Sequence, residues 1–217
     1  ESQYLLIDVR QPGEYQLGHL PGAKLMPLME LESKLFSLPA DQDLVFYCRS
    51  GSRSLTAASL AQEAEVTEKN VYNLSGGIMG WYGKTLSAFP KVQLFDKASA
   101  LDDLLYIAMD LEKGAWRYYQ FIVDTFSTEP YIDTFDMLSK AETAHARTIY
   151  SIWKKDRTAP EPFEAVFDQL GGEILEGGQF LDDSLKKLDS LEGDTCMNLI
   201  ELSLHIEYSA FDLYRTM

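Results

Sequence analysis

Leu44-Val45-Phe46-Tyr47-Cys48-Arg49-Ser50-Gly51-Ser52-Arg53 decides how the first half of the chain folds. Five apolar or aromatic residues in a row read as a strand buried on both faces, because a half-exposed strand would alternate with polar positions. The chain then turns through Arg-Ser-Gly-Ser-Arg, and helical spacing takes over near 54–62. Working outward, Tyr4-Leu5-Leu6-Ile7-Asp8-Val9 and Val71-Tyr72-Asn73-Leu74 repeat the same strand signature, again separated by helically spaced segments. Strands of this kind alternating with crossover helices predict a small parallel α/β sheet.

Open parallel sheets bind ligands beyond the carboxyl ends of their strands, which is where Cys48 stands. A loop feeding a helix N-terminus turns backbone N–H groups inward, and the helix dipole adds partial positive charge. Arg49 and Arg53 add full charges. Such surroundings lower a thiol's pKa enough to make it a nucleophile at neutral pH. A cysteine ending a strand is ordinarily a small core hydrophobe; the Arg-Ser-Gly-Ser-Arg context points the other way.

Several further stretches carry a family resemblance: Leu6-Ile7-Asp8-Val9-Arg10 through Glu14-Tyr15, Gly18-His19-Leu20-Pro21-Gly22-Ala23, the Cys48-x-x-Gly51-x-Arg53 loop, and Asn73-Leu74-Ser75-Gly76-Gly77 with Gly80-Trp81. Together, over residues 4 to 89, the chain closely resembles the rhodanese family. The resemblance implies that Cys48 takes sulfane sulfur from a small donor such as thiosulfate, holds it as a persulfide, and passes it to a thiol or cyanide-like acceptor. Arg49, Ser50, Gly51, Ser52 and Arg53 would form the substrate-binding loop. The related phosphatase loop places one more residue between Cys and Arg, and tyrosine phosphatases carry histidine where Tyr47 stands, so sulfur fits better than phosphorus. Asp8 and Arg10 read as a structural ion pair, His19 as a turn residue rather than a general base, and Gly76-Gly77 as a tight turn of positive φ beside the loop.

A net charge of −15 disfavours nucleic acid and anionic membranes as partners. No apolar run approaches the ~18 residues of a membrane span. Charge is split unevenly: nine basic and eleven acidic residues up to Lys97 leave −2, while ten and 23 after it leave −13. Cys48 and Cys196 are the only cysteines and lie in different halves, so a reducing, cytoplasmic setting is the simpler expectation. The chain starts at Glu1 just before a strand and stops at Met217 within a helical pattern, so both ends look cut. Phe89-Pro90-Lys91-Val92 breaks helical continuity, which gives domains over 1–92 and 98–217, with Phe89, Val92, Leu94 and Phe95 packing the joint against a domain.

From Ala98 onward, apolar spacing predicts an all-α bundle with helices at 99–126, 131–156 and 194–217 and an irregular or partly helical crossover before the last. Residues 104–116 and 199–211 repeat one another, making Glu112 and Glu207 equivalent, each a lone carboxylate in an apolar stripe. Glu142 and His145 project from one face of the second helix. Four-helix carboxylate-bridged bundles use one Glu from each of two helices and a Glu-x-x-His from each of the other two. Both single glutamates and one Glu-x-x-His are present, and the repeat places the second Glu-x-x-His beyond Met217. The second half therefore resembles the ferritin-like superfamily, and its rubrerythrin branch in particular. That resemblance implies a metal site of Glu112, Glu142, His145 and Glu207, a di-iron centre and redox chemistry with peroxide or dioxygen. Occupancy would depend on a fourth helix or on ligands from the partner in a homodimer. The alternatives are a sulfur- or oxidant-sensing or metal-binding protein whose helical domain serves dimerisation, and a purely structural bundle. The tyrosines and tryptophans at helical spacing read as core.

Overall fold

The computed structural model describes residues 4–96, 98, 100–188 and 191–216. Residues 99 and 217, which the spacing assigns to helix ends, lie outside the described residues. The chain divides into two compact units, the first running to Pro90 and also taking in the residues from Tyr214 onward, the second running from Lys91 to Leu213. Among the described residues no helix is long and apolar enough to cross a membrane.

In the first unit, β1 (Tyr4–Asp8), β2 (Lys24–Leu25), β3 (Asp43–Tyr47) and β4 (Val71–Asn73) form one parallel sheet in the order β2-β1-β3-β4. Helices α1 (Pro12–Leu17), α2 (Leu28–Lys34) and α3 (Ser52–Glu63) lie in the three crossovers. The strand order reverses between β1 and β3, which opens a crevice beyond their carboxyl ends.

The β3 run and the carboxyl end of β1 are buried, whereas β4 at the sheet edge is only half-buried and leaves Tyr72 exposed. Ile7, Val9, Leu44 and Phe46 pack with Leu31, Ala57, Ala58 and Ala61 on one side. Tyr47 packs with Tyr15, Leu20 and Ala23 on the other. The alanine face of α3 lets that helix lie close to the sheet, bringing its N-terminus up to the end of β3.

The second unit is built on α4 (Leu101–Thr125) and α5 (Ile132–Trp153), whose short connection makes them an αα-hairpin. The crossover that follows is partly helical. It holds α6 (Phe163–Gln169), an antiparallel bridge between Ile174 and Phe180, and α7 (Leu181–Leu188) before α8 (Thr195–Thr216). Phe163, Val166 and Phe167 of α6 cover Met109, Ala146 and Trp153. Leu175 and α7 join Tyr118, Tyr119, Ile122, Leu199 and Ile206 in a second core. The joint is shared out: Phe89 stacks on Tyr15 within the first unit, and Phe95 packs with Leu111 in the second.

Candidate functional sites: a thiolate loop and a buried acidic cluster

Cys48 follows the last residue of β3 and is almost fully buried, with 1% of its surface exposed. The Gly51 amide donates to Sγ at 3.1 Å and the Ser54 hydroxyl at 3.4 Å. Gly51 takes φ +98°, which aims that amide back at the sulfur just before α3 begins. The segment after β4 fixes the outer side of the loop. Ile78 N–H donates to the Cys48 carbonyl at 2.8 Å, Met79 N–H to Arg49 at 3.1 Å, and Asn73 Nδ2 to Gly51 at 3.2 Å. With its carbonyls held outward, the loop presents its amides to the thiol.

Gly77, at φ +55°, permits this approach. A Cβ there would overlap the Cys48 carbonyl oxygen and stand 2.7 Å from the carbonyl carbon and oxygen of Arg49.

Burial disfavours the thiolate, but the Ser54 hydroxyl and the amides of Ser54, Ser50 and Gly51 outweigh it, lowering the Cys48 pKa from its ordinary 9.0 to about 7. Arg53 interacts with the Cys48 sulfur, but as a paired rather than a free cation. It forms a two-pronged ion pair with Glu14, both bonds 2.8 Å, and this holds the Glu14 carboxyl down at about 2. Arg49, Ser50 and Ser52 are exposed around the loop. Asp8 and Arg10 form the expected buried ion pair, with Nε–Oδ1 at 2.9 Å and Nη2–Oδ2 at 2.6 Å. His19 stacks on Tyr15 at 3.8 Å between centroids and is fully buried. Ser54 was not singled out from sequence; its signal is its place on the first turn of the helix that follows the loop.

The first unit is thus an α/β domain with a buried thiol of depressed pKa held by amides at the switch point of a parallel sheet. The Rhodanese-like domain model matches residues 1–84, and this chain belongs to that family. It is 38% identical over 77 residues to "Sulfurtransferase" of Allochromatium vinosum, covering 36% of this chain and 70% of that protein. It is 34% identical over 85 residues to "Putative sulfurtransferase YtwF" of Bacillus subtilis, covering 39% and 80%. YqhL of the same organism is 39% identical over 79 residues, and the match spans 61% of its length. A rhodanese-like domain protein from Staphylococcus aureus overlays with a TM-score of 0.36 at 25% identity, covering 40% of this chain and 83% of that one.

In the second unit, the four residues expected to bind metal come together with a fifth. Glu112, Glu142 and His145 offer ligand atoms all within 4.8 Å of one another, and so do Glu142, Glu176 and Glu207. Glu112, Glu142 and Glu176 are buried, at 3%, 1% and 4% exposure. His145 Nδ1 lies 3.2 Å from Glu142 Oε2 and 3.4 Å from Glu112 Oε2. Among the described residues Glu112 Oε2 itself makes no hydrogen bond. The Tyr119 hydroxyl donates to Glu207 Oε1 at 2.8 Å. Burial raises the pKa of Glu112, and the charge on Glu176 raises it further. Burial, then the charge on Glu207, does the same for Glu142.

A buried carboxylate oxygen without a donor, beside other carboxylates and one imidazole, fits a divalent metal ion. Glu176, which no helical repeat predicts, joins the cluster beside Glu142 and Glu207. Its signal in the sequence is faint: one acid between Ile174-Leu175 and Gly177-Gly178.

Proposed function

We propose that the chain is a sulfurtransferase of the thiosulfate type, carrying sulfane sulfur as a Cys48 persulfide, joined to a metal-binding helical domain of ferritin-like, rubrerythrin type. The observation that supports the first part best is the Cys48 thiol, lowered to about 7 by the Ser54 hydroxyl and loop amides despite its burial. The names of the relatives point the same way. In the first step the Cys48 thiolate attacks the outer sulfur of thiosulfate. An Sγ–S bond forms, the donor's S–S bond breaks, and its electron pair leaves on sulfite. In the second step a thiolate or cyanide attacks the outer sulfur, and the pair of the Sγ–S bond returns to Cys48. The amides and the start of α3 favour the anion in both free and loaded forms. Exposed Arg49 places a cation near the loop for an anionic donor. Sulfite release from thiosulfate with a thiol or cyanide acceptor tests this reading. The wild type turns over and Cys48→Ser does not; unchanged turnover in the variant would overturn it.

For the second unit, the supporting observation is the shared membership of Glu142 in two groups of ligand atoms, with Glu112 Oε2 of one group left without a hydrogen bond among the described residues. Glu112, Glu142, His145 and Glu207 would hold iron, which when bound in pairs supplies redox chemistry toward peroxide or dioxygen. Tyr119 orients Glu207, the kind of outer contact that tunes a ligand. Elemental analysis of the full chain is the test: iron is expected in the wild type and lost in Glu142→Ala, and metal-free wild type after reconstitution would contradict the reading.

A further inference from the structure

We infer that Glu176 is itself a metal ligand, so that this single chain builds two adjacent divalent-cation positions bridged by Glu142, one completed by Glu112 and His145 and the other by Glu176 and Glu207. The inference rests on the metal-binding reading of the second unit and extends it to a residue outside the helical repeat.

The first argument is charge. Four carboxylates meet here, three of them buried, and among the described residues the salt bridges of this cluster go to His145 alone. Ionised carboxylates without counter-charge are costly to bury. Two divalent cations balance four carboxylates, whereas one would leave two negative charges in the core. The second argument is the unpaired oxygen. Among the described residues Glu112 Oε2 is buried without a hydrogen bond, and the His145 imidazole at 3.4 Å is its one ion-pair partner, so a cation would supply the contact it lacks.

The crossover also brings Glu176 here by construction. The segment before it lies directly on the backbone of α4 at Gly114. A Cβ on Gly114 would overlap the Ile174 carbonyl oxygen and stand 2.8 Å from its carbon. On the far side, a Cβ on Gly177 would collide with Ser209 of α8 and come within 2.7 Å of Gln179 Oε1. Between these two close approaches the chain makes a turn, with Leu175 N–H donating to Gln179 at 2.8 Å and Gly178 N–H to Leu175 at 2.7 Å. Leu175, fully buried, anchors the turn next to Glu176. The two glycines thus let the crossover wedge between α4 and α8 at the level of Glu112 and Glu207. A donor set of four carboxylates and one imidazole suits Mn²⁺ or Fe²⁺, since no soft thiolate is present among the ligand groups.

Calorimetric titration of the metal-free full chain with Mn²⁺ tests this. The wild type is expected to bind two ions. Glu176→Gln is expected to lose or weaken one of them by about 100-fold or more while retaining the other, taking the upper end of what ligand-shell changes cost. Glu142→Gln is expected to disturb both, and exposed Glu201→Gln neither. Glutamine matches the volume of glutamate and removes a buried charge. The metal-free Glu176→Gln chain should therefore melt no lower than wild type, which separates a lost ligand from a lost fold. Two ions bound by Glu176→Gln with wild-type affinity would overturn this inference and leave the metal-binding reading standing. No ion bound by the wild type would overturn both.

Discussion

Gly76→Ala and Gly77→Ala form a matched pair that tests how the thiolate loop is held. Both glycines have positive φ, +79° and +55°, so each alanine carries the left-handed penalty of roughly 1–2 kcal/mol. Their surroundings differ. A Cβ on Gly76 meets the Gly80 Cα at an ordinary 3.5 Å, whereas one on Gly77 overlaps the Cys48 carbonyl oxygen and stands 2.7 Å from the Arg49 carbonyl carbon and oxygen. Backbone cannot swing aside as a flexible side chain does, so Gly77→Ala adds an overpacking cost of roughly 1–3 kcal/mol. It also pulls against the bonds from Ile78 and Met79.

Amide hydrogen exchange in the full chain reads this locally, over peptides covering 44–56 and 71–80. At 1.4 kcal/mol per tenfold, Gly77→Ala should exchange about 5- to 150-fold faster than Gly76→Ala. The pH of half-maximal Cys48 alkylation should rise above about 7 in Gly77→Ala and stay near it in Gly76→Ala. Equal exchange and equal alkylation profiles in the two variants would refute the reasoning, because φ alone would then account for both.

Three further outcomes follow from the same geometry. In Ser54→Ala, burial of Cys48 is no longer opposed by the hydroxyl, so the alkylation midpoint moves up from about 7 toward 9.0; an unmoved midpoint would remove Ser54 from the account. A double-mutant cycle of Glu14→Gln with Arg53→Gln should give a coupling of about 1 kcal/mol or less at pH 7, since the pair is about one-third exposed. Glu14 has a depressed pKa, so that coupling is present above the ordinary 4.5 and is lost as pH falls through about 2; coupling that persists below this would contradict the pairing. In the metal-free chain the raised pKa values of Glu142 and Glu176 mean that the native state holds more protons than the unfolded chain. Stability of the second unit is therefore greatest below 4.5 with respect to these groups and declines as pH rises through about 7, and added Mn²⁺ reverses the decline; thermal melts across that range check the sign.

Much of this was legible in the sequence because the signals were local. Runs such as Leu44–Tyr47 carry their burial in their own composition, and the long helices are long enough for periodicity to place their ends within a few residues. Cys48 was legible because the loop's glycine, serines and arginines follow it directly. β2 was not, since its two residues are too short to carry a pattern and are defined by pairing with β1. Glu176 was missed for a different reason. It lies on a turn without periodicity, and its burial comes from the approach of Ile174 to Gly114, some sixty residues earlier. The pairing of Arg53 with Glu14 likewise depends on how α1 lies beside α3, which neither segment states alone.

Sulfur transfer by this chain depends on a persulfide at Cys48. Intact-mass measurement after incubating the full chain with thiosulfate and removing excess reagent tests it most directly. The account predicts one added sulfur atom, mapped to Cys48, absent from Cys48→Ser and discharged by cyanide or a thiol. Wild-type protein that gains no sulfur, or gains it at Cys196 instead, would contradict it.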